Sequence, residues 1–189
     1  HPLNMWYADL DGNGFHDPIM GYYIPTATGK KELYPALGLD EIVTQVPEIK
    51  KTYLLHKNFS TATMADVFRS VSEPAKLIAA EAASSWFENT GNGSFKQHPL
   101  PAEAQFAPVN CILVNDYNKD GLPDILLAGN EYQAEVMMGR YDASYGCFLK
   151  GTGKKSFQYI SPVESGFMIR GDVKDLAVIL MANGEKRIL

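Results

Sequence analysis

The sequence predicts an all-β protein with a small helical insertion, and three patterns support this. A nine-residue acidic loop occurs twice, and each copy lies between short apolar runs bounded by turn residues. Each copy is followed by an apolar run, a Gly-rich turn and a returning aromatic residue, as in a β-hairpin. One loop and one hairpin together make about four strands, so we expect four-stranded antiparallel units. The helical pattern is confined to one stretch that follows the first loop.

The two acidic loops, residues 9–17 and 116–124, share one pattern of oxygen-bearing side chains. Asp or Asn stands at positions 1, 3, 5 and 9 of both loops, and Gly stands at position 6. Such a set suits Ca²⁺, which takes six to eight oxygen ligands and accepts irregular geometry. Because crowded carboxylates repel one another, each loop implies a bound cation. Ordinary Asp/Asn/Gly turns are the alternative, and the duplication disfavours it.

An EF-hand would need a bidentate Glu at loop position 12 and a helix on each side. Position 12 is Met20 after the first loop and Leu127 after the second, and neither side chain can bind a cation. Residues 111–115 and 125–128, which flank the second loop, have the pattern of strands. We therefore expect each cation between two strands.

Hairpins are predicted at residues 86–95 and 148–157, where the Gly-rich turns lie. The Ala-rich stretch 75–85 has mixed signals, and we expect a strand in its second half. After residue 161 a third unit is predicted, with strands at 166–170 and 176–180. An Asn183-Gly184 turn then closes a further hairpin.

Residues 38–72 form the predicted helical insertion, with helical spacing of apolar residues in three short runs. Asp40 or Thr63 is a candidate N-cap, because both precede such a run and carry an oxygen that can accept from the first turn. Pro47 and Pro74 stand where helices begin or break.

At residues 8–19 and 114–130, and in the Gly-Asn-Gly-Ser-Phe hairpin that ends at Phe95, the chain resembles the FG-GAP/VCBS repeats. These are bacterial relatives of the integrin α-chain propeller. The resemblance implies a partial β-propeller of two blades plus part of a third, with four-stranded antiparallel blades. The implied parts are a first blade at 1–37 and 73–105, the helical insertion at 38–72, a second blade at 106–165 and a partial third blade at 166–189.

In the family the matching loop positions bind calcium, so the resemblance implies two calcium ions per chain. The implied ligands comprise side chains at four positions of each loop and a backbone carbonyl at position 7. They are Asp9, Asp11, Asn13, Phe15 and Asp17 in the first loop, and Asp116, Asn118, Asp120, Leu122 and Asp124 in the second.

Family propellers usually close with about seven blades, so apolar faces and strand edges of this chain need a cover. The chain begins at His1 without Met, and we expect it to be a piece of a longer protein. Its partners are then the remaining blades of the parent chain or copies of itself, and we expect a homo-oligomer.

Composition limits the classes of partner. The net charge of -5 disfavours nucleic acid. No stretch reaches the roughly 18 to 20 apolar residues of a membrane span. The two cysteines are too few for a disulfide framework, and Cys111, in an apolar run, is expected to be a small buried residue.

The expected function is a calcium-stabilised, non-catalytic module of an exported bacterial surface or periplasmic protein, used in binding, adhesion or assembly. We expect export because of the calcium sites. Extracellular modules bind calcium with dissociation constants of about 10⁻⁴ to 10⁻³ M, so their sites are filled only where calcium is millimolar, outside the cytoplasm. A glycan or a protein is the expected ligand.

The alternative is part of a propeller-bearing enzyme acting on polysaccharide. No nucleophile elbow, zinc signature or phosphate loop is present. An integrin-type Arg170-Gly171-Asp172 tripeptide is expected to be a chance turn, and the aromatic residues to fill space between blades rather than stack on sugars. Candidate catalytic residues are His1, His16, His56, His98, Glu131, Arg140 and Asp142, and candidate sugar-stacking residues are Trp6, Tyr7, Tyr22, Tyr23 and Trp86.

Overall fold

The computed structural model describes residues 3–69, 75–134, 136 and 139–189, which divide into two compact units, His1–Ala82 and Ala83–Leu189. Strand accounts for 38% and helix for 15%, so the prediction of a mostly β protein is confirmed. Antiparallel four-stranded sheets, one in each unit, are also as predicted. The described sheets close into neither a barrel nor a propeller, and the propeller arrangement stays a prediction.

The first unit is built on one four-stranded antiparallel sheet in which β1 and β2 flank the first acidic loop. The strand order is β3-β2-β1-β4, so β4 pairs with the outer edge of β1, with Met5 opposite Leu77. The strands are β1 (Leu3–Ala8), β2 (Asp17–Pro25), β3 (Lys31–Pro35) and β4 (Ala75–Ala79).

Four short helices lie between β3 and β4, within the predicted helical insertion, and they cover one face of this sheet. Their apolar side chains pack with Trp6 and Ile19 of the sheet in one buried core. Thr63 is an N-cap with a full capping box to Asp66, as predicted. The Asp40 alternative is wrong, because Gly38 stands at that N-cap. The helices are α1 (Leu39–Gln45), α2 (Ile49–Thr52), α3 (His56–Phe59) and α4 (Met64–Val67), and Pro74 lies outside the described residues.

The second unit contains a sheet of strand order β10-β9-β8-β7. All six residues of β8 are buried, because side chains from the same unit cover both faces of that strand. Ile125 and Leu127 pack with Ala104 on one face, whereas Ala128 packs with Leu176 on the other. The strands are β7 (Val109–Asn115), β8 (Asp124–Gly129), β9 (Cys147–Gly151) and β10 (Phe157–Ile160).

Both predicted hairpins are present, but only the second joins a four-stranded sheet. β5 (Ser85–Gly91) and β6 (Ser94–Pro99) pair only with each other, in the second unit. The predicted first blade, 1–37 with 73–105, is corrected accordingly: β3 and β4 complete the first sheet. The strand expected in the second half of 75–85 is likewise wrong, since β4 occupies the first half.

The predicted third unit is smaller than expected. Residues 166–170 form no strand, and a short helix, α5 (Pro162–Ser165), precedes them. β11 (Val178–Leu180) and β12 (Lys186–Ile188) pair as a hairpin around the predicted Asn183-Gly184 turn. The part predicted as a third blade is therefore a two-stranded hairpin after an irregular segment.

Two features of composition are settled by the structure. Cys111 and Cys147 are buried free thiols, and burial raises the pKa of Cys147 to about 12. Among the described helices, none has the length and apolarity to cross a membrane, and α1, the longest, has seven residues.

Candidate metal centre

The two acidic loops occupy the same place in their sheets. Each joins the first two strands, in chain order, of a four-stranded sheet, and the closing pairs are Ala8 with Asp17 and Asn115 with Asp124. Loop position 9 is thus the first residue of the second strand in both cases. The prediction of strands on both sides is confirmed, and the helices of an EF-hand are ruled out.

The loops also share their internal hydrogen bonds, although more than 100 positions separate them in the chain. In each loop the backbone N–H groups of positions 5 and 6 donate to the carboxylate at position 1. The backbone N–H of position 5 also donates to the side chain at position 3. The N–H of position 7 donates to the side chain at position 5, and the N–H of position 2 donates to the carboxylate at position 9. Donor and acceptor atoms are 2.8 to 3.1 Å apart in these pairs.

The backbone takes the left-handed conformation at the same two positions of each loop. At position 6, φ is +89° for Gly14 and +86° for Gly121. At position 4, φ is +78° for Gly12 and +62° for Lys119. These turns direct successive N–H groups inward, toward the carboxylate at position 1. The Gly at position 6 therefore has a backbone reason to be there in both loops.

The first acidic loop brings three carboxylates together. One oxygen from each of Asp9, Asp11 and Asp17 lies within 4.8 Å of the others. Oxygens bound to one Ca²⁺ at 2.3 to 2.6 Å have to lie about this close to each other, so the donor set fits that ion. Asn13 is next to this cluster in the loop, and its Oδ1 accepts from the N–H of Phe15.

Position 9 is the most buried position of each loop. Asp17 is 7% exposed and Asp124 is fully buried. Asp17 accepts a hydrogen bond from the N–H of Leu10 at 2.9 Å. Asp124 accepts from Tyr117 at 3.0 Å and Asn118 at 3.3 Å, and its other oxygen accepts from Gly151 of β9 at 2.9 Å. Asp124 therefore ties its loop to a third strand.

Both loops hold an aspartate in its charged form. At Asp9 the backbone N–H of Gly14, followed by those of Gly12 and Asn13, lowers the pKa of the carboxyl below its ordinary value. At Asp120 the ammonium of Lys150, 3.1 Å away, is the main cause of a lowered pKa. Sequence reasoning missed Lys150, because its proximity to the loop follows from the pairing of β8 with β9.

Phe15 and Leu122 occupy position 7, where a backbone carbonyl ligand is expected. Phe15 is 77% exposed, whereas the side chain of Leu122 is half-buried beside Gly153. The side chains at position 7 differ in kind and in exposure between the two loops, as expected if the backbone carbonyl is the functional group there. The assignment of the ten ligand residues stays a prediction.

Each histidine in the described part of the chain has neighbours of its own. His16 stacks on Tyr7 with ring centres 4.7 Å apart, and His56 lies 3.7 Å from Asp40. His98 stacks on Trp86 at 4.4 Å and lies 3.2 Å from a carboxylate oxygen of Glu88. His1 lies outside the described residues.

Glu88 is the centre of a small cluster that sequence reasoning did not find. Its carboxylate contacts both His98 and the ammonium of Lys155, and Lys155 is the main cause of its lowered pKa. Trp86 packs between His98 and the edge of Phe157. The cluster links the β5–β6 hairpin to the β9–β10 turn and strand, which is a packing role.

Four further candidate residues have side-chain contacts with their neighbours. Glu131 and Asp172 both pair with Lys174, at 3.0 and 2.8 Å. The guanidinium of Arg140 lies over Tyr132, and that of Arg170 lies over Tyr145.

The Arg170-Gly171-Asp172 tripeptide is built into the second unit. The carbonyl of Gly171 accepts from the side-chain amide of Asn130 at 2.8 Å, and Asn130 itself is buried. With Asp172 also held by Lys174, the tripeptide is not presented as a free loop tip. This supports the expectation of a structural turn.

An open cleft of about 720 Å³ lies beside the second acidic loop. Asn115, Asp116, Tyr117 and Lys119 line one side, and the β11–β12 hairpin lines the other. Its lining mixes charged and apolar side chains from exposed turns.

No family model matches the chain, and neither the curated proteins nor the solved structures that were searched contain a match to it.

Proposed function

We propose that this chain is a calcium-stabilised β-sheet module without catalytic activity, which acts in binding, adhesion or assembly outside the cytoplasm. Its two sheets are proposed to be blades of a radial assembly of the FG-GAP/VCBS kind. Each acidic loop is proposed to hold one calcium ion, which fastens the first strand of a sheet to the second.

One observation carries the proposal. Two loops distant in sequence share five hydrogen bonds, two left-handed positions and the pairing of the strands on either side. A turn selected only to reverse the chain has no need for oxygens at four matching positions, since Gly and one Asx residue suffice. A shared ligand explains the shared oxygens.

The proposed location outside the cytoplasm rests on the ion. Loops on exposed turns bind calcium weakly, at about 10⁻⁴ to 10⁻³ M in extracellular modules. Such sites fill at millimolar calcium and stay largely empty in cytosol. The ion then acts as a structural staple rather than as a signal.

Thermal unfolding with calcium and with chelator tests the proposal. At ten times the dissociation constant each site adds about 1.4 kcal/mol, and the two together raise Tm by several degrees. Magnesium at the same concentration is expected to give a smaller shift, because it demands tighter octahedral geometry.

Variants locate the effect. Asp9→Asn with Asp11→Asn, and separately Asp116→Asn with Asp120→Asn, are each expected to remove about half of the calcium-dependent shift. Asp142→Asn with Asp175→Asn changes the net charge equally outside the loops and is the matched control, expected to keep the full shift. An identical Tm in calcium and in chelator would contradict the proposal.

A further inference from the structure

The open cleft beside the second acidic loop lies within the second unit, since residues of that unit form both of its sides. We call it the loop cleft. The acidic loop lines one side, and the β11–β12 hairpin lines the other. Its volume of about 720 Å³ falls in the range of roughly 300 to 1,000 Å³ that is usual for ligand sites. Of its described lining residues, Asp116 alone is also a proposed calcium ligand, so the cleft is a separate candidate site.

Two lysines of the loop cleft have ammonium groups that are free to bind an anion. Lys119 stands on the loop side and Lys186 on the hairpin side. Among the residues that the structure describes, neither lysine is paired with a carboxylate. The ammonium group of a lysine is a point charge on a flexible stem, so it suits an anion that is held from two sides without one fixed geometry.

The carboxylates of the loop cleft are already engaged, so they leave this positive charge in place. Both oxygens of Asp116 accept hydrogen bonds within its own loop, from the N–H groups of Asp120 and Gly121, at 3.1 and 2.9 Å. Glu185 lies 3.6 Å from the guanidinium of Arg187, and these two charges offset each other. The remaining charge of the cleft is therefore positive, although the whole chain has a net charge of -5.

Lys119 stands at a backbone position that favours glycine. Its φ is +62°, and Gly12 occupies the same position of the first loop with a φ of +78°. The left-handed conformation is unfavourable for a residue with a Cβ, so Lys at this position lowers stability relative to Gly. Strained backbone of this kind is concentrated at functional sites. The second loop thus presents a charged side chain to the cleft at a position where the first loop has none.

Part of the lining is apolar. Val178 and Ile188 are paired in the hairpin, and Lys186 lies two positions from Ile188 on β12, so these three side chains share one face. On the loop side, burial raises the pKa of Tyr117, so its phenol stays neutral and does not repel an anion. A ligand of the loop cleft therefore needs an anionic group and an apolar surface close together.

A polymer of uronic acid combines both features, because each of its sugar rings has a carboxylate at one edge and an apolar C–H face. An open cleft buries less of a ligand than the roughly 70 to 90% that is usual for enclosed pockets, so it suits a segment of a polymer. Acidic peptide motifs are typically bound by arginine clusters, whereas the arginine of this cleft is already paired with Glu185.

We propose that the loop cleft binds a polysaccharide that contains uronic acid. Lys119 and Lys186 contact its carboxylates from the two sides of the cleft. Val178 and Ile188 contact the apolar face of a sugar ring. This inference rests on the proposed binding role of the module and names the class of its ligand.

Titration of the wild-type chain with three soluble probes tests the proposal. A linear tetramer of glucuronate is expected to bind at low salt, where screening is weak, and to shift the NMR signals of the Gly184 and Lys186 amides. The amide of Gly93, in the β5–β6 turn, is expected to stay unshifted. Cellotetraose has hydroxymethyl groups in place of the carboxylates, and we expect it to bind more weakly by about tenfold. Tetraglutamate, a peptide that also carries four carboxylate side chains, is expected to bind more weakly than the glucuronate tetramer because it lacks the ring faces.

Variants locate the binding. Lys119→Gly with Lys186→Met removes both ammonium groups and relieves the backbone at residue 119, so circular dichroism is expected to be unchanged. Its affinity for the glucuronate tetramer is expected to fall by about five- to tenfold. Lys96→Met with Lys154→Met removes the same charge from the second unit outside the cleft, and this control is expected to bind as the wild type does. No binding by the wild type, equal binding of cellotetraose or tetraglutamate, or wild-type affinity in the cleft variant would each overturn the proposal.

Every titration is done in chelator, because the carboxylates of the probe themselves bind calcium. The result is therefore independent of the proposed calcium sites. A chain that calcium stabilises but that does not bind the glucuronate tetramer would keep the proposed calcium sites and lose this ligand. A chain that binds the tetramer and has the same Tm in calcium and in chelator would show the reverse.

Discussion

The first acidic loop and the second have one backbone but differ in how much of their charge the protein itself satisfies. In the first, Asp17 accepts from a neighbour within its own loop, and no lysine pairs with a carboxylate of the loop among the described residues. In the second, Lys150 pairs with Asp120, and Gly151 donates to Asp124. Strand β9 therefore supplies the second loop with both the ammonium group of Lys150 and the backbone N–H of Gly151.

One pattern of ligand residues is therefore supported in two ways. The second loop is held by the rest of its sheet even without an ion, because three N–H groups converge on its buried carboxylate. The first loop has fewer supports from outside its own nine residues. We therefore expect the first loop to be ordered mainly by calcium and the second mainly by the protein.

The largest expected effect comes from the buried aspartates at position 9. Asp124→Ala leaves three N–H donors without an acceptor, at about 1 kcal/mol or more each. We expect it to lower the free energy of unfolding in chelator by about 3 kcal/mol. Asp17→Ala leaves the N–H of Leu10 without an acceptor, and we expect it to lower the free energy of unfolding by about 1 kcal/mol. Urea unfolding of both variants in chelator measures the losses, and equal losses would remove the distinction between the loops.

Local sequence predicted that each acidic loop lies between two strands, since the turns and hydrogen bonds of each loop arise within nine residues. The same holds for Thr63, whose capping box involves a residue three positions away. These features depend on short-range stereochemistry that a pattern can encode.

Features that depend on distant pairing were missed. The run 75–79 pairs with β1 across some 70 positions, and nothing local distinguishes it from the 86–95 hairpin as the completion of the first sheet. Lys150 reaches Asp120 only because β9 lies beside β8.

Gly at position 6 tests whether the two loops really share a backbone. Gly14→Ala and Gly121→Ala each place a Cβ at a left-handed position with open space around it, so the strain is in the backbone alone. Both are expected to destabilise by about 1 to 2 kcal/mol, and by similar amounts. Gly→Asn at the same positions is the control and is expected to cost less, because Asn tolerates this conformation. Unequal losses from the two Gly→Ala changes, measured in urea, would show that the loops differ.

The effect of calcium is expected to fade only in acid. The pKa of Asp9 is lowered chiefly by the N–H of Gly14, and that of Asp120 chiefly by Lys150, so both stay charged below the ordinary aspartate pKa of about 3.9. Stability linked to a lowered pKa is present above the unfolded value and is lost as the pH falls through the folded one. Tm with and without calcium, measured from pH 7 to pH 3, is expected to differ fully at pH 5 and to narrow only after the pH has fallen below the ordinary value of about 3.9. Convergence near pH 6 would point to a histidine instead.

The smallest expected effect is on the calcium affinity of the second loop alone. Lys150→Met removes the ammonium that competes with an ion for Asp120, and with it the main cause of the lowered pKa of that residue. Because an exposed ion pair is weak, calcium affinity is expected to rise by no more than about fivefold. Calorimetry is done in an Asp9→Asn, Asp11→Asn background, so that only the second loop titrates, with Lys154→Met as the control for loss of one positive charge in the same turn region. If both lysine variants changed affinity equally, the effect would be one of overall charge, and the contrast between the loops would have to rest on Asp124 alone.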